Sequence, residues 1–390
     1  MNTKKEDTGN WKLPLYKIYS DDEDLNLITK IIRRGTNWAI GPEIEEFEKA
    51  ICDYVGRDYC ITLNSGTSAL HGIFLAYGIG RGDEVVVPSF SFISTANSVL
   101  FVNANTKFAD IEETTYGLDP SRIQEKITSK TKAVVPVDYG GLSCKIFDIK
   151  EICESNNILL IEDAAESLGS SVNGKKVGSV GDCAIFSFCG NKVLTTGEGG
   201  AVVTNSKTIY EKLKLIRSHG RVDKTNYFDN PDESQYEMLG YNWRISTITA
   251  ALGISQIRKL NKIIKMRQDN AKYLSSRLSR HPEITVPTSP NGFEHIYQMY
   301  TIRLPDKKLR DSLHQYLSRK RIFSKVYFTP IHLTTFYQQK FGMKKSSLPV
   351  TERVSEQVLT LPMYPNMNNE EKDYLIDSVD EFFDLVSKTS

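Results

Sequence analysis

CAIFSFCGNKVLTTGEGGAVVT, residues 183–204, sets two apolar runs, CAIFSF (183–188) and GAVVT (200–204), on either side of a turn carrying one lysine, Lys192. Continuous Ile, Phe and Val without polar alternation reads as strand covered on both faces. The same signature recurs upstream in YCITL (59–63), EVVVP (84–88), KAVVPV (132–137) and ILLIE (158–162), with helix-like segments between them. This alternation predicts an α/β sandwich, a mainly parallel sheet between two helical layers. From Ile245 to about Arg280 the pattern turns helical and predicts a link between two domains. Beyond it, YQMYTIRL (297–304), DKKLRDSLHQYLSRK (306–320), KVYF (325–328) and NNEEKDYLIDSVDEFFDLV (368–386) predict a smaller α+β domain. The division expected is a frayed tail at 1–12, a large domain at 13–260 and a small one at 261–390.

Charge and composition exclude several function classes. The 49 basic and 48 acidic side chains nearly cancel, so no surface-wide field favours nucleic acid or an anionic membrane. The apolar stretches fall short of the roughly 18 residues of a membrane span, and MNTKKEDTGNWKLP at the N-terminus has no hydrophobic signal core. A soluble, cytoplasmic protein is expected. The cysteines at 52, 60, 144, 153, 183 and 189 show no CxxC spacing, which predicts buried free thiols and no metal site.

Three short stretches carry chemistry. In LNSGTSAL (63–70) a strand ends, Asn-Ser-Gly-Thr turns and a helix begins, presenting unpaired N–H groups and hydroxyls as a phosphate would need them; an ordinary capped helix fits the same letters. In LLIEDAAESLGS (159–170) an apolar run delivers Asp163 to the C-terminal edge of the sheet, where ligands of open α/β sheets collect. Asp163 as a helix N-cap, with Glu166 completing a capping box, is the competing reading. The third is Lys192 itself. An amine in partly desolvated surroundings is favoured in its neutral, carbonyl-attacking form, whereas most loop lysines are simply solvated. Ser187, Asn191, Thr195, Thr196 and the GEGG turn crowd the same segment. GIGRGD (78–83) follows a helix and precedes a strand, the wrong context for a dinucleotide loop, and this disfavours a nicotinamide-dependent oxidoreductase.

A phosphate cup, an acid at a strand end and a lysine after a later strand are what pyridoxal 5'-phosphate requires of a protein: a grip on its phosphate, a carboxylate to keep the ring nitrogen protonated, and an amine for the aldehyde. The order of blocks then resembles the sugar-nucleotide aminotransferases of the DegT/DnrJ/EryC1/StrS family over nearly the whole chain. The shared landmarks are GPEIEEFEKAICDYVG (41–56), NSGTSAL, GDEVVVPSFSFISTAN (82–97), IEDAAESLGS, FSFCGNKVLTTGEGG, LGYNWRIS (239–246), AALGISQI, PIHL (330–333) and LTLPMYP (359–365).

The resemblance implies a fold type I, aspartate aminotransferase-like subunit working as a homodimer with active sites at the interface. By it, Lys192 would hold the coenzyme and move the substrate proton, Asp163 would pair with the ring nitrogen, and Phe92 would stack on the ring. Gly66, Thr67 and Ser187 would grip the phosphate, joined by Asn242 from the neighbouring subunit. Glu166 stands where many members have glutamine, facing the phenolic oxygen; with the FxGNK wording it resembles perosamine synthase-like 4-amino-sugar enzymes. Arg221, Tyr241 and His332 fall in segments that border the substrate in the family, and a structural role suits each equally. The implied reaction takes nitrogen from L-glutamate to a nucleotide-linked 4-keto-6-deoxy sugar. A 3-keto sugar and a non-catalytic coenzyme-binding regulator stay open as alternatives, while the dehydrating branch, which carries histidine in place of Lys192, is disfavoured.

Overall fold

The computed structural model describes residues 11–222 and 235–389. A seven-stranded sheet runs in the order β1-β9-β8-β5-β4-β2-β3. Its strands are β1 (Tyr59–Leu63), β2 (Glu84–Pro88), β3 (Asn105–Ala109), β4 (Thr131–Val134), β5 (Leu159–Asp163), β8 (Cys183–Ser187) and β9 (Gly200–Thr204). The short β6 (Ser171–Val172) and β7 (Lys175–Lys176) form a separate ribbon with β10 (Phe293–Glu294). Pairings from β3 through β8 are parallel, and only β9 runs against its neighbours β8 and β1.

Alternate side chains of each strand enter opposite cores, which makes the sandwich three layers thick. Ile61, Leu63, Val85, Val87 and Ile185 pack on helices α3 (Gly66–Tyr77), α4 (Ser94–Phe101) and α7 (Lys207–Arg217). On the other face, Phe186 and Val203 meet α2 (Pro42–Val55) and α8 (Thr247–Arg258), while Val86, Val134 and Leu160 meet α5 (Pro120–Gln124) and α6 (Ile146–Ser155). The remaining helix of this half, α1 (Asp22–Arg34), is capped by Asp21 and packs along α8.

The helical stretch read from Ile245 to Arg280 is two helices. It breaks at Lys259, whose buried ammonium is held by Asp21 and Asp24, and continues as α9 (Leu260–Leu278) into a second core. That core gathers Leu13 with the antiparallel pair β11 (Tyr300–Arg303) and β12 (Val358–Leu361), α10 (Lys307–Arg319) and α13 (Asn369–Thr389). Helices α11 (Thr335–Phe341) and α12 (Pro349–Gln357) lie between α10 and β12 in the chain.

Three local readings need correction. KVYF is not a strand: only Lys325 bridges, to Thr360. The run KAVVPV stops pairing continuously after Val134, before Pro136, which has no N–H to give; Val137 makes an isolated bridge to Asp163. And β3, NTKFA, was not among the expected strands because its polar residues hide the pattern. Of the expected N-terminal tail, residues 1–10 lie outside the described residues; Trp11 packs edge-on against Phe323 at 5.1 Å and the Lys12 amide donates to Arg321.

Candidate active site

The parallel strands β5 and β8 end on the same edge of the sheet, and helix α3 begins there. The Ser65 hydroxyl caps α3 by accepting from the Ser68 amide at 3.1 Å. Packing at this point is close. A Cβ on Gly66 would lie 3.2 Å from the Ser187 Cβ, and one on Gly200 would lie 2.5 Å from the Gly66 nitrogen. Gly200 therefore admits no side chain, while one at Gly66 would need Ser187 to give by a few tenths of an ångström; the start of α3 is a cradle of backbone N–H groups with the half-buried Thr67 and Ser187 hydroxyls beside it.

Asp163 ends β5 and is buried, 3% exposed. Its Oδ2 accepts from Thr95 Oγ1 at 2.7 Å and its Oδ1 from the Ala165 amide at 3.3 Å. Burial pushes its pKa up, opposed by the Thr95 bond, the Ala165 amide and the positive charge of Lys192. Lys192 lies in the turn after β8, with its side chain 13% exposed and Nζ 3.3 Å from Glu166 Oε1. The other Glu166 oxygen accepts from the Gly140 amide at 3.0 Å. The carboxylate thus spans the lysine and a backbone donor, which fixes the amine beside the end of β5. A buried acid, a cradle of amides and a tethered amine on one sheet edge fit the donor set that pyridoxal phosphate needs.

The other expected residues are placed as follows. Phe92 precedes α4 with its ring 59% exposed, free to cover a planar ligand. Asn242 is exposed on the stretch before α8, where its backbone bridges Ser218 and the next carbonyl, of Trp243, accepts from the Asn64 amide at 2.8 Å. Tyr241 stacks on Trp243 at 4.0 Å. Arg221 is buried and lines a cleft of ≈ 1230 Å³ along the β1 edge, with Glu48, Arg217 and Arg244. His332 is sealed from solvent, its Nδ1 at 2.7 Å from Ser89 Oγ and its Nε2 at 3.1 Å from Glu352 Oε1. Both ring nitrogens are thereby engaged in pinning the 331–333 turn to β2 and α12, and burial pushes its pKa down.

Residues without an assigned part in the sequence also meet here. Thr95, in the first turn of α4, and Ser91, in the bend before it, have hydroxyls 2.8 Å apart, and their partner Asp163 lies far along the chain at the end of β5. Tyr327 lines a small cavity with Tyr16 and Asn191. Its phenol is pushed up to about 12, by burial first and then by the negative charge of Glu166. Gln298 holds the lysine turn by donating to the Asn191 carbonyl at 2.7 Å.

The comparisons agree on one family. A sequence model of the DegT/DnrJ/EryC1/StrS aminotransferase family matches residues 19–380. The GDP-perosamine synthase of Caulobacter vibrioides is 35% identical over 351 residues, covering 89% of this chain and 92% of that protein. Helicobacter pylori PseC, an aminotransferase involved in the biosynthesis of pseudoaminic acid, shares the fold at a TM-score of 0.90 and 28% identity, over 95% of this chain and 99% of its own. Bacillus subtilis NtdA, solved with bound cofactor PMP, gives a TM-score of 0.83 at 26% identity, over 93% and 81%. Among the described residues no helix is long and apolar enough to cross a membrane.

Proposed function

This chain belongs to the DegT/DnrJ/EryC1/StrS aminotransferase family, and from that premise we propose that it transfers an amino group from L-glutamate to the 4-keto carbon of a nucleotide-linked 4-keto-6-deoxy sugar. It is an aminotransferase with pyridoxal phosphate as coenzyme. When bound, that coenzyme supplies an aldehyde that takes up amines and a cationic ring that draws electrons from the reacting carbon. The reading of the sugar draws on relatives named GDP-perosamine synthase and on Glu166 in the slot facing the phenolic oxygen.

The protein's own residues have separable tasks. The amides of Gly66 and Thr67, the Ser187 hydroxyl and the partner subunit's Asn242 would hold the phosphate; Phe92 would cover the ring. Asp163 would keep a proton on the ring nitrogen, a task that needs its ionised form despite burial. Lys192 would take the proton from the amino donor's α carbon in the first half-reaction and return one to the sugar's C4 in the second. Glu166 would hold that amine within reach between steps, as its 3.3 Å contact with Nζ supports. We place the reaction in the cytoplasm, in a homodimer, as a step of glycan biosynthesis.

The observation that carries this reading is the convergence of Asp163, Lys192 and the α3 start on one sheet edge. Incubating the purified chain with L-glutamate and a panel of 4-keto and 3-keto nucleotide sugars, followed by mass analysis, tests it. Amination of a 4-keto sugar is expected, and Lys192→Ala should lower turnover on the order of 10⁴-fold or more. Consumption of 3-keto sugars alone would overturn the substrate class.

A further inference from the structure

Asp163 has an unusual balance of donors for an acid so deeply buried. Its carboxylate has one short hydrogen bond, 2.7 Å from Thr95 Oγ1, and one long one, 3.3 Å from the Ala165 amide. Thr95 is 1% exposed and Ser91 is 3% exposed, so both hydroxyls are shut off from bulk solvent. An ionised carboxylate can only accept, so the single Thr95 proton points at Asp163 and the Ser91 hydroxyl, 2.8 Å away, must donate to Thr95. The chain therefore has one polarity, Ser91 to Thr95 to Asp163, and each link strengthens the next.

The same turn holds the residue that would cover the coenzyme ring. The Thr95 amide donates to the Phe92 carbonyl at 3.2 Å, which ties Phe92 to Thr95 at the start of α4. The charged groups around Asp163 are Lys192 after β8, Glu166 after β5 and Asp138 beyond β4. None of them donates a hydrogen bond to the Asp163 carboxylate among the described contacts, which leaves its plane to Thr95 and the Ala165 amide.

We propose that Thr95, supported by Ser91, is a positioning residue that holds the Asp163 carboxylate ionised and in a fixed orientation, in which it would pair with the coenzyme's ring nitrogen. This rests on the reading of Lys192 and Asp163 as a pyridoxal phosphate site. Without the Thr95 donor, a buried carboxylate with one long hydrogen bond takes up a proton more readily and can rotate about Cβ–Cγ. Either change weakens its hold on a protonated ring nitrogen.

The test uses the full-length protein in four forms: wild type, Thr95→Val, Thr95→Ser and Ser91→Ala. Coenzyme is removed and titrated back, and the absorbance of the bound coenzyme and kcat are each followed against pH. Thr95→Val, close to isosteric but without a donor, is expected to raise the coenzyme dissociation constant about tenfold to hundredfold and to shift both pH profiles. Thr95→Ser should stay within a few-fold of wild type. Ser91→Ala should shift the profiles in the same direction by less, and it decides the matter if Thr95→Val does not fold. A folded Thr95→Val with wild-type coenzyme affinity and pH profiles would overturn the proposal alone. So would a Thr95→Ser as impaired as the valine variant, since the methyl group's packing would then be what matters. A wild-type chain that takes up no coenzyme would overturn the functional reading and this proposal with it.

Discussion

Glu162 and Asp163 are adjacent acids on one strand, both buried, both with pKa values pushed up by burial, yet they face different worlds. Glu162 points away from the site and is saturated. It accepts from the amides of Gly178 at 2.7 Å, Val180 at 2.9 Å and Gly181 at 2.6 Å, with the Arg57 guanidinium 3.9 Å off. Asp163 has the Thr95 hydroxyl and one long amide contact. The difference teaches how a fold marks a working acid: the structural one is satisfied by its own backbone, whereas the other keeps lone pairs free and is held just firmly enough to stay aimed.

Exchanging each acid for its amide should separate the two roles. Asp163→Asn keeps shape and removes the charge that would stabilise the protonated ring nitrogen. Transamination should fall on the order of 10²–10³-fold, a loss typical of removing one preorganised electrostatic group, with little change in the midpoint of thermal unfolding. Glu162→Gln should do the reverse. Three amides and an arginine lose their anion, which costs about 2–4 kcal/mol of stability by denaturant unfolding, while kcat of the folded fraction stays within a few-fold of wild type. If Glu162→Gln instead lost activity without losing stability, the division of labour drawn here would be wrong.

How much of this was legible in sequence depends on the range of the interaction. The strands EVVVP and GAVVT and the helix start at Gly66 are local patterns, and they stand where the letters put them. Placing Asp163 at the end of β5 needed only strand direction, and Lys192 only its place after β8. The partners were not legible. Glu162 read as the last letter of a strand because its three donors lie in a turn 16 to 19 residues on. Thr95 looked like one more small residue in SFISTAN, its acid 68 residues away. His332 stands in a segment that borders the substrate in the family, but here Ser89 and Glu352, from β2's end and α12, close around it. What a residue type permits is written locally; whether its polar atoms are already spent is decided by contacts across the fold.

A third acid extends the comparison to its limit. Asp138, just beyond β4, accepts from the Cys144 amide at 2.8 Å through Oδ1, and its Oδ2 has no partner. Burial, then the negative charge of Glu162, push its pKa up to about 8. Fully buried and next to other acids, it is the one of the three expected to keep its proton near neutral pH. In the unfolded chain an aspartic acid ionises near pH 3.9, so between about pH 4 and 8 the native state binds one more proton than the unfolded state. The contribution to stability is fully present below about pH 4 and is lost as pH rises through about 8, at about 1.4 kcal/mol per pH unit. Asp138→Asn, neutral at every pH, should flatten that part of the profile. Between pH 6 and 7.5 the coenzyme-free wild type should lose roughly 2 kcal/mol more than the variant in denaturant unfolding. Parallel profiles would mean that Asp138 is ionised in the native state, and that an unpartnered oxygen on this edge of the sheet does not suffice to hold a proton.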